Sequence, residues 1–149
     1  MTDQADLDRQ CINTIRFLAV DAVQEARSGH PGTPEVILIG TGSEVHNALE
    51  AGRHLAAKGV VVRVVSMPSW ELYDQQPADY RESVLPPNVW KRVAVEAGIT
   101  LGWERYVGLD GAVVGMRSFG ASAPGEVLYE RFGITADNVI AHARALLKR

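Results

Sequence analysis

Apolar residues at Leu7, Cys11, Ile15, Leu18 and Ala22 recur at spacings of four, four, three and four, which stacks them on one helical face. Ile12, Ala19, Val23 and Ala26 widen that stripe, while Asp8, Arg9, Arg16, Asp21 and Glu25 fall elsewhere. Gly29 tolerates a left-handed turn and Pro31 cannot continue the ladder, so the pattern predicts one helix over residues 6–27. The register changes at Pro34. Val36-Ile37-Leu38-Ile39, bounded by Pro34 and Gly40, is a short apolar run rich in β-branched residues and predicts a strand buried on both faces. After Gly40-Thr41-Gly42-Ser43, the positions Val45, Leu49, Gly52 and Leu55 return to helical spacing until Gly59. Thr41 and Glu44 have the spacing of a capping box, and Ser43 is a second candidate cap. Val60-Val61-Val62-Arg63-Val64-Val65 reads as the next strand. Strand, helix and strand in so short a span require parallel pairing with a right-handed crossover.

Met67-Pro68-Ser69 opens a long polar connection with a short helix expected over residues 78–84. Arg92-Val93-Ala94-Val95-Glu96 and Ala112-Val113-Val114-Gly115-Met116 read as further strands. A helical turn is expected over residues 126–132, and Thr135-Ala136-Asp137 caps a last helix with Val139, Ala143 and Leu146 on one side. Strands alternating with helices in this order describe an α/β, doubly wound, mostly parallel sheet.

Composition narrows the function classes. The 149 residues are 46% hydrophobic and 22% charged, enough for a single core that buries about 70% of the unfolded surface. Fifteen basic against eighteen acidic side chains leave a net charge of −3, which argues against a general nucleic-acid binder. No uncharged run approaches the roughly 20 apolar residues of a membrane span. One cysteine, Cys11, cannot form an internal disulfide, and the opening Met1-Thr2-Asp3-Gln4-Ala5-Asp6 is acidic where a targeting peptide is basic. A cytoplasmic protein without nucleic-acid or membrane partners is expected.

Candidate chemistry is sparse. Gly40, Thr41, Gly42 and Ser43 form a glycine-rich turn between strand and helix, a place where backbone N–H groups and the helix dipole attract anions. A third glycine of the dinucleotide fingerprint is missing, since Val45 occupies its place, and Val65-Ser66-Met67 offers no acidic ribose ligand. A tight, capped turn is the competing account. His46 and His54 lie two turns apart on one helix, too far for adjacent-turn chelation, and no metal site is expected. His142 reads as a surface residue. Glu96 and Glu104 flank a loop with Trp103, Arg105 and Tyr106 that reads as a salt-bridged turn. Trp70, Tyr73, Trp90 and Trp103 read as packing or interface aromatics. Ser43, Ser66 and Ser122 lack a hydrolase elbow, and Cys11 lies on an apolar stripe.

Two sets of motifs carry a resemblance. Cys11-Ile12-Asn13-Thr14-Ile15-Arg16 and Ser28-Gly29-His30-Pro31-Gly32 resemble the N-terminal opening of the transketolase family. Thr41-Gly42-Ser43-Glu44-Val45, Arg63-Val64-Val65-Ser66-Met67-Pro68, Val84-Leu85-Pro86, Val95-Glu96-Ala97-Gly98 and Phe119-Gly120-Ala121-Ser122-Ala123-Pro124 resemble that family's C-terminal domain. The resemblance divides the chain into residues 1–33, an N-terminal helix with its Gly-His-Pro-Gly turn, and residues 34–149, a C-terminal-like α/β domain. It implies a Rossmann-like doubly wound sheet of about five strands, one of them antiparallel, preceded by one helix.

The family moves a two-carbon ketol unit between sugar phosphates of the pentose phosphate pathway, using thiamine diphosphate and Mg²⁺. Its two central domains hold the cofactor, one through a Gly-Asp-Gly…Asn motif and the other through a pyrimidine pocket with an activating glutamate. Here Gly32-Thr33-Pro34 runs directly into the first strand of the terminal domain, and no Gly-Asp-Gly occurs; Gly108-Leu109-Asp110-Gly111 is the nearest string. His30 matches the family's substrate-contacting histidine, yet acid–base work requires a partner within hydrogen-bond reach. The resemblance thus implies a truncated, non-catalytic structural or oligomerisation module with no cofactor of its own. The alternative is a subunit that completes a transketolase with a partner carrying the cofactor domains. The partner is a second copy of the chain or a transketolase-type chain.

Overall fold

A computed structural model describes residues 33–149. The predicted helix over residues 6–27, Cys11, His30 and the rest of the Gly-His-Pro-Gly turn lie outside the described residues.

Four strands, β1 (Val36–Gly40), β2 (Val62–Ser66), β3 (Arg92–Ile99) and β4 (Ala112–Met116), form one sheet in the order β2-β1-β3-β4. Every pairing is parallel. Six α-helices accompany them among the described residues: α1 (Val45–Ala56), α2 (Trp70–Asp74), α3 (Ala78–Val84), α4 (Glu104–Val107), α5 (Gly125–Phe132) and α6 (Ala136–Leu147). The doubly wound architecture is as expected. The sheet differs from expectation in having four strands rather than about five, with no antiparallel member among the described residues. The reason is local. Gly133 ends α5 in the left-handed region at φ 68° and Thr135 already caps α6, so only Gly133, Ile134 and Thr135 separate the two helices. No length of chain remains there for another strand.

The pleat sorts β1 into two cores. Val36 and Leu38 face α1 and α6 with Val93, Val95, Leu55, Val139 and Leu146. Ile37 and Ile39 face the opposite layer with Val65, Met67, Ala94, Trp103 and Tyr106. Burial on both faces is why β1 is an uninterrupted apolar run. The cap predicted at Thr135 forms, its hydroxyl accepting from Asn138 N–H at 3.3 Å.

The second layer holds an aromatic set, as the sequence leads one to expect of packing aromatics. Trp70 meets Trp103 edge-on at 5.1 Å, and Tyr73 meets Tyr106 at 5.8 Å. Tyr106 donates its hydroxyl to Asp74 at 3.2 Å. Burial, reinforced by that carboxylate, pushes the Tyr106 phenol up to about 12. A folded pKa above the ordinary tyrosine value of about 10 means the folded state holds this proton more tightly than the unfolded chain. The stabilisation is complete below about pH 10 and is lost as pH rises from about 10 to about 12. Urea midpoints measured at pH 9 and pH 11 are expected to fall with pH, and Tyr106→Phe is expected to flatten that dependence.

Candidate functional site

The strand order creates one topological switch. Connections leave β1 toward β2 on one side and return across to β3 on the other, so the carboxyl ends of β1 and β3 border a crevice of the kind where open α/β sheets place ligands. Gly40 pairs with Val95 in this register, which sets Thr41 beside Glu96. The predicted glycine-rich turn therefore sits at the mouth of the crevice. Gly40 is required there by space, because a Cβ would lie 2.9 Å from both the backbone N and Cα of Val45. Residues Gly42–Glu44 form a single 3-10 turn that leads into α1.

The turn's polar groups are occupied by acids. The Thr41 hydroxyl donates to the Glu96 carboxylate in a short hydrogen bond. Ser43 donates to Glu44 at 2.9 Å, and Tyr129, reaching across from α5, donates to the same Glu44 oxygen. Bonding to Glu44 holds the Tyr129 phenol above its usual pKa. Glu44 is buried, and its carboxylate is the centre to which Ser43 and Tyr129 converge. The expected capping box does not form. Thr41 makes no side-chain cap to the turn that follows, and its hydroxyl is directed to Glu96 instead.

A phosphate brought to Gly40, Thr41, Gly42 and Ser43 would meet the Glu44 and Glu96 carboxylates, so Coulomb repulsion opposes the anion that a bare glycine-rich turn would attract. The arrangement is a self-satisfied clasp that ties the β1–α1 turn to β3 and to α5. For the same reason this turn does not fit the diphosphate of thiamine diphosphate, and among the described residues no group of three or more His, Cys, Asp or Glu could hold a metal ion.

The remaining candidates are dispersed. His46 is exposed beside Glu50 at 3.9 Å, and His54 accepts from Arg144 at 3.0 Å on the surface. Glu104 accepts from Gly102 N–H, far from any pairing with Glu96. The expected salt bridge in that region exists between other partners, Arg105 and Asp74, at 2.6 Å. Sequence reading missed the convergence of Glu44, Glu96 and Tyr129. Its signal, a tyrosine flanked by Leu128 and Phe132 on a short helix, is indistinguishable from a packing residue until the fold brings Glu44 to it.

Comparison with known proteins sets these features in context. Residues 22–135 match the family described as the transketolase-like TK C-terminal domain. The chain is 60% identical over 116 residues to transketolase 1 of Escherichia coli, covering 78% of this chain and 18% of that protein. It is 46% identical over 148 residues to the transketolase of Geobacillus stearothermophilus, covering 95% of this chain and 22% of that one. The transketolase from Leishmania mexicana superposes with a TM-score of 0.73 at 47% identity, over 80% of this chain and 17% of that structure. A split-gene transketolase, solved as an inactive beta4 tetramer, superposes with a TM-score of 0.58 at 24% identity over 78% of this chain and 40% of its own, a likeness of fold alone. The chain spans about a fifth of the length of the bacterial relatives it matches.

Proposed function

Because this chain belongs to the transketolase family, with residues 33–149 folded as that family's C-terminal domain, we propose that it is a non-catalytic assembly module that associates with a second copy of itself. One observation carries the reading. At the carboxyl edge of β3 and β4, Ile99 is 69% exposed, Leu101 72% and Phe119 100%. Ile99 pairs with Met116 at the end of β4, and Phe119 follows three residues later, so the three side chains crown neighbouring strands. Among the described residues β4 pairs with β3 alone, leaving a strand edge beside the apolar crown. Open strand edges and clustered apolar side chains both favour association. No described helix is long and apolar enough to cross a membrane, so the crown has no membrane-spanning element beside it among the described residues. The reading keeps the domain division at residues 33 and 34 and a cytoplasmic setting.

The 60% identity to a full-length enzyme favours a second reading, in which the same crown seats on a chain that carries the rest of a transketolase. Ketol transfer with thiamine diphosphate and Mg²⁺ belongs to that assembly, and His30 would contact sugar substrate only there.

Light scattering coupled to size exclusion separates the outcomes. At about 50 μM the chain is expected to run as a dimer or larger, and the pair Leu101→Ser and Phe119→Ser to weaken association about tenfold or more. A monomer at that concentration removes the self-association reading. Ketol transfer from xylulose 5-phosphate to ribose 5-phosphate by the purified chain alone removes the non-catalytic one. Activity that appears only on adding a chain with the cofactor domains selects the second reading.

A further inference from the structure

On the layer opposite α1 and α6, a cavity of about 380 Å³ opens among α2, α3, α4 and the first residue of β3. That volume is at the small end of metabolite pockets and far below what a protein partner occupies. Three guanidinium groups line it, from Arg81, Arg92 and Arg105, with Tyr73, Tyr106 and Asp74 between them. Their situations differ. Arg92 is spent on main-chain carbonyls of Leu85, Pro86, Val89 and Tyr106. Arg105 is spent on Asp74, which also accepts from Tyr106. Arg81 has no such engagement. Its guanidinium makes no hydrogen bond or ion pair among the described residues, and its Nε is buried without a partner.

An unbonded, half-buried guanidinium is costly because it has given up water without a replacement acceptor. Glu82 lines the same cavity, but as the next residue on α3 it projects in another direction and does not pair with Arg81. Asp74 is already neutralised by Arg105, so the positive charge of Arg81 is not cancelled locally. Burial raises the Tyr73 phenol above its usual pKa despite the nearby Arg92 and Arg81 charges that pull it down. In such surroundings an ion pair is screened less than at an open surface.

We propose that this cavity binds a compact oxyanion-bearing metabolite, a carboxylate or a phosphate monoester, with Arg81 as its principal ligand. The planar fork of Arg81 matches either oxyanion. The rings of Tyr73 and Tyr106, with Leu85 and Pro87, face the less polar body of the ligand. This site is independent of the crown on β3 and β4 and of any role in assembly.

The test uses the full chain, ¹⁵N-labelled, with the arginine Nε resonances followed during titration at constant ionic strength. Inorganic phosphate is one arm, succinate the other, and sodium chloride the control. The Arg81 Nε resonance is expected to move saturably with one or both anions, with half-saturation at about millimolar concentration. Saturation by phosphate alone identifies a phosphate site, and by succinate alone a carboxylate site. Arg81→Met is expected to weaken binding about tenfold, whereas Arg131→Met, on the exposed face of α5, leaves it unchanged. Glu82→Gln removes a like charge from the rim and is expected to tighten binding about threefold, a readout that stands even if Arg81→Met does not fold. The proposal is overturned if no resonance saturates by about 50 mM, if chloride moves the same resonances equally, or if Glu82→Gln leaves affinity unchanged or lower.

Discussion

Replacing Trp103 by alanine is expected to lower the unfolding free energy by about 3–5 kcal/mol, the range for truncating a fully buried large aromatic. Trp103 has no exposed surface and is the largest side chain so enclosed. It lies at the centre of the aromatic set, with Trp70 edge-on at 5.1 Å and Tyr106 at 5.9 Å. The loss is more than its own surface, because the backbone around it is shaped to let Trp70 approach. Gly102 sits at φ +92°, and a Cβ there would come within 3.0 Å of the Trp70 ring. Removing the indole therefore leaves α2 without its main support, and a five-residue helix has little stability of its own. Urea denaturation followed by near-ultraviolet circular dichroism measures both effects, the shifted midpoint and the lost aromatic signal. Trp90→Ala is the control. Its ring is 43% exposed, and its removal is expected to cost less than about 1 kcal/mol. Equal costs for the two tryptophans would contradict this assignment of the core.

That contrast also marks where the sequence was legible. β1 stood out because burial on two faces forces a run of apolar residues with no polar interruption. The short α3 was placed correctly, and so was α6, whose Thr135 cap precedes three apolar residues at helical spacing. α2 and α4 were not predicted as helices. Elements of five and four residues are too short to express a period, and Trp70 and Tyr106 carry their meaning only when the fold brings them together. Ser69, which caps α2 by accepting from Leu72 N–H, was the one local sign available.

The turn at Thr41 shows the opposite case, a local rule overruled from a distance. Capping-box spacing was present, but Glu96, fifty-five residues away, captures the hydroxyl. Its neighbour Glu44 is bound by a tyrosine eighty-five residues away. Carboxylates at such separations cannot be inferred from a glycine-rich string, although they decide whether that string welcomes an anion. The fifth, antiparallel strand drawn from the family resemblance had no apolar run of its own: four runs read as strands, and the sheet of the described residues has those four. Arg63 and Arg92 are a further instance: nothing in the strand runs that contain them signals that both side chains are turned onto the end of a neighbouring helix.

The second large effect is expected at Arg92. The last turn of α3 leaves carbonyl groups without intrahelical partners, as every helix does. Ordinary termination would supply backbone N–H donors from the residues that follow, but Pro86 and Pro87 have none. Arginine side chains take their place. Arg63 donates to the carbonyls of Ser83 at 2.7 Å and Val84 at 3.0 Å. Arg92 donates to those of Leu85 and Pro86, and its remaining donors reach Val89 and Tyr106 at 2.7 Å. One guanidinium thus ties the end of α3, the approach to β3 and the end of α4 to the first residue of a central strand. Its positive charge also lies at the negative end of the α3 dipole. Burial lowers the pKa of Arg92, yet an arginine so placed stays charged. Arg92→Met keeps much of the stem and removes every donor, so four carbonyls lose a charge-assisted bond together, of which Pro86 alone keeps a backbone donor, from Val89 N–H. A loss of about 4 kcal/mol is expected from charge-assisted bonds of this kind. Arg92→Lys should recover only part of it, because an ammonium group cannot reproduce the fork that meets carbonyls on three segments. Arg63→Met should cost about 2 kcal/mol. The double variant should cost less than the sum, since both arginines hold the same helix end and its release by one removes the other's purpose. Strict additivity in urea denaturation would mean that the two arginines act on separate structures, and the account of α3 as a helix closed by side chains would fail.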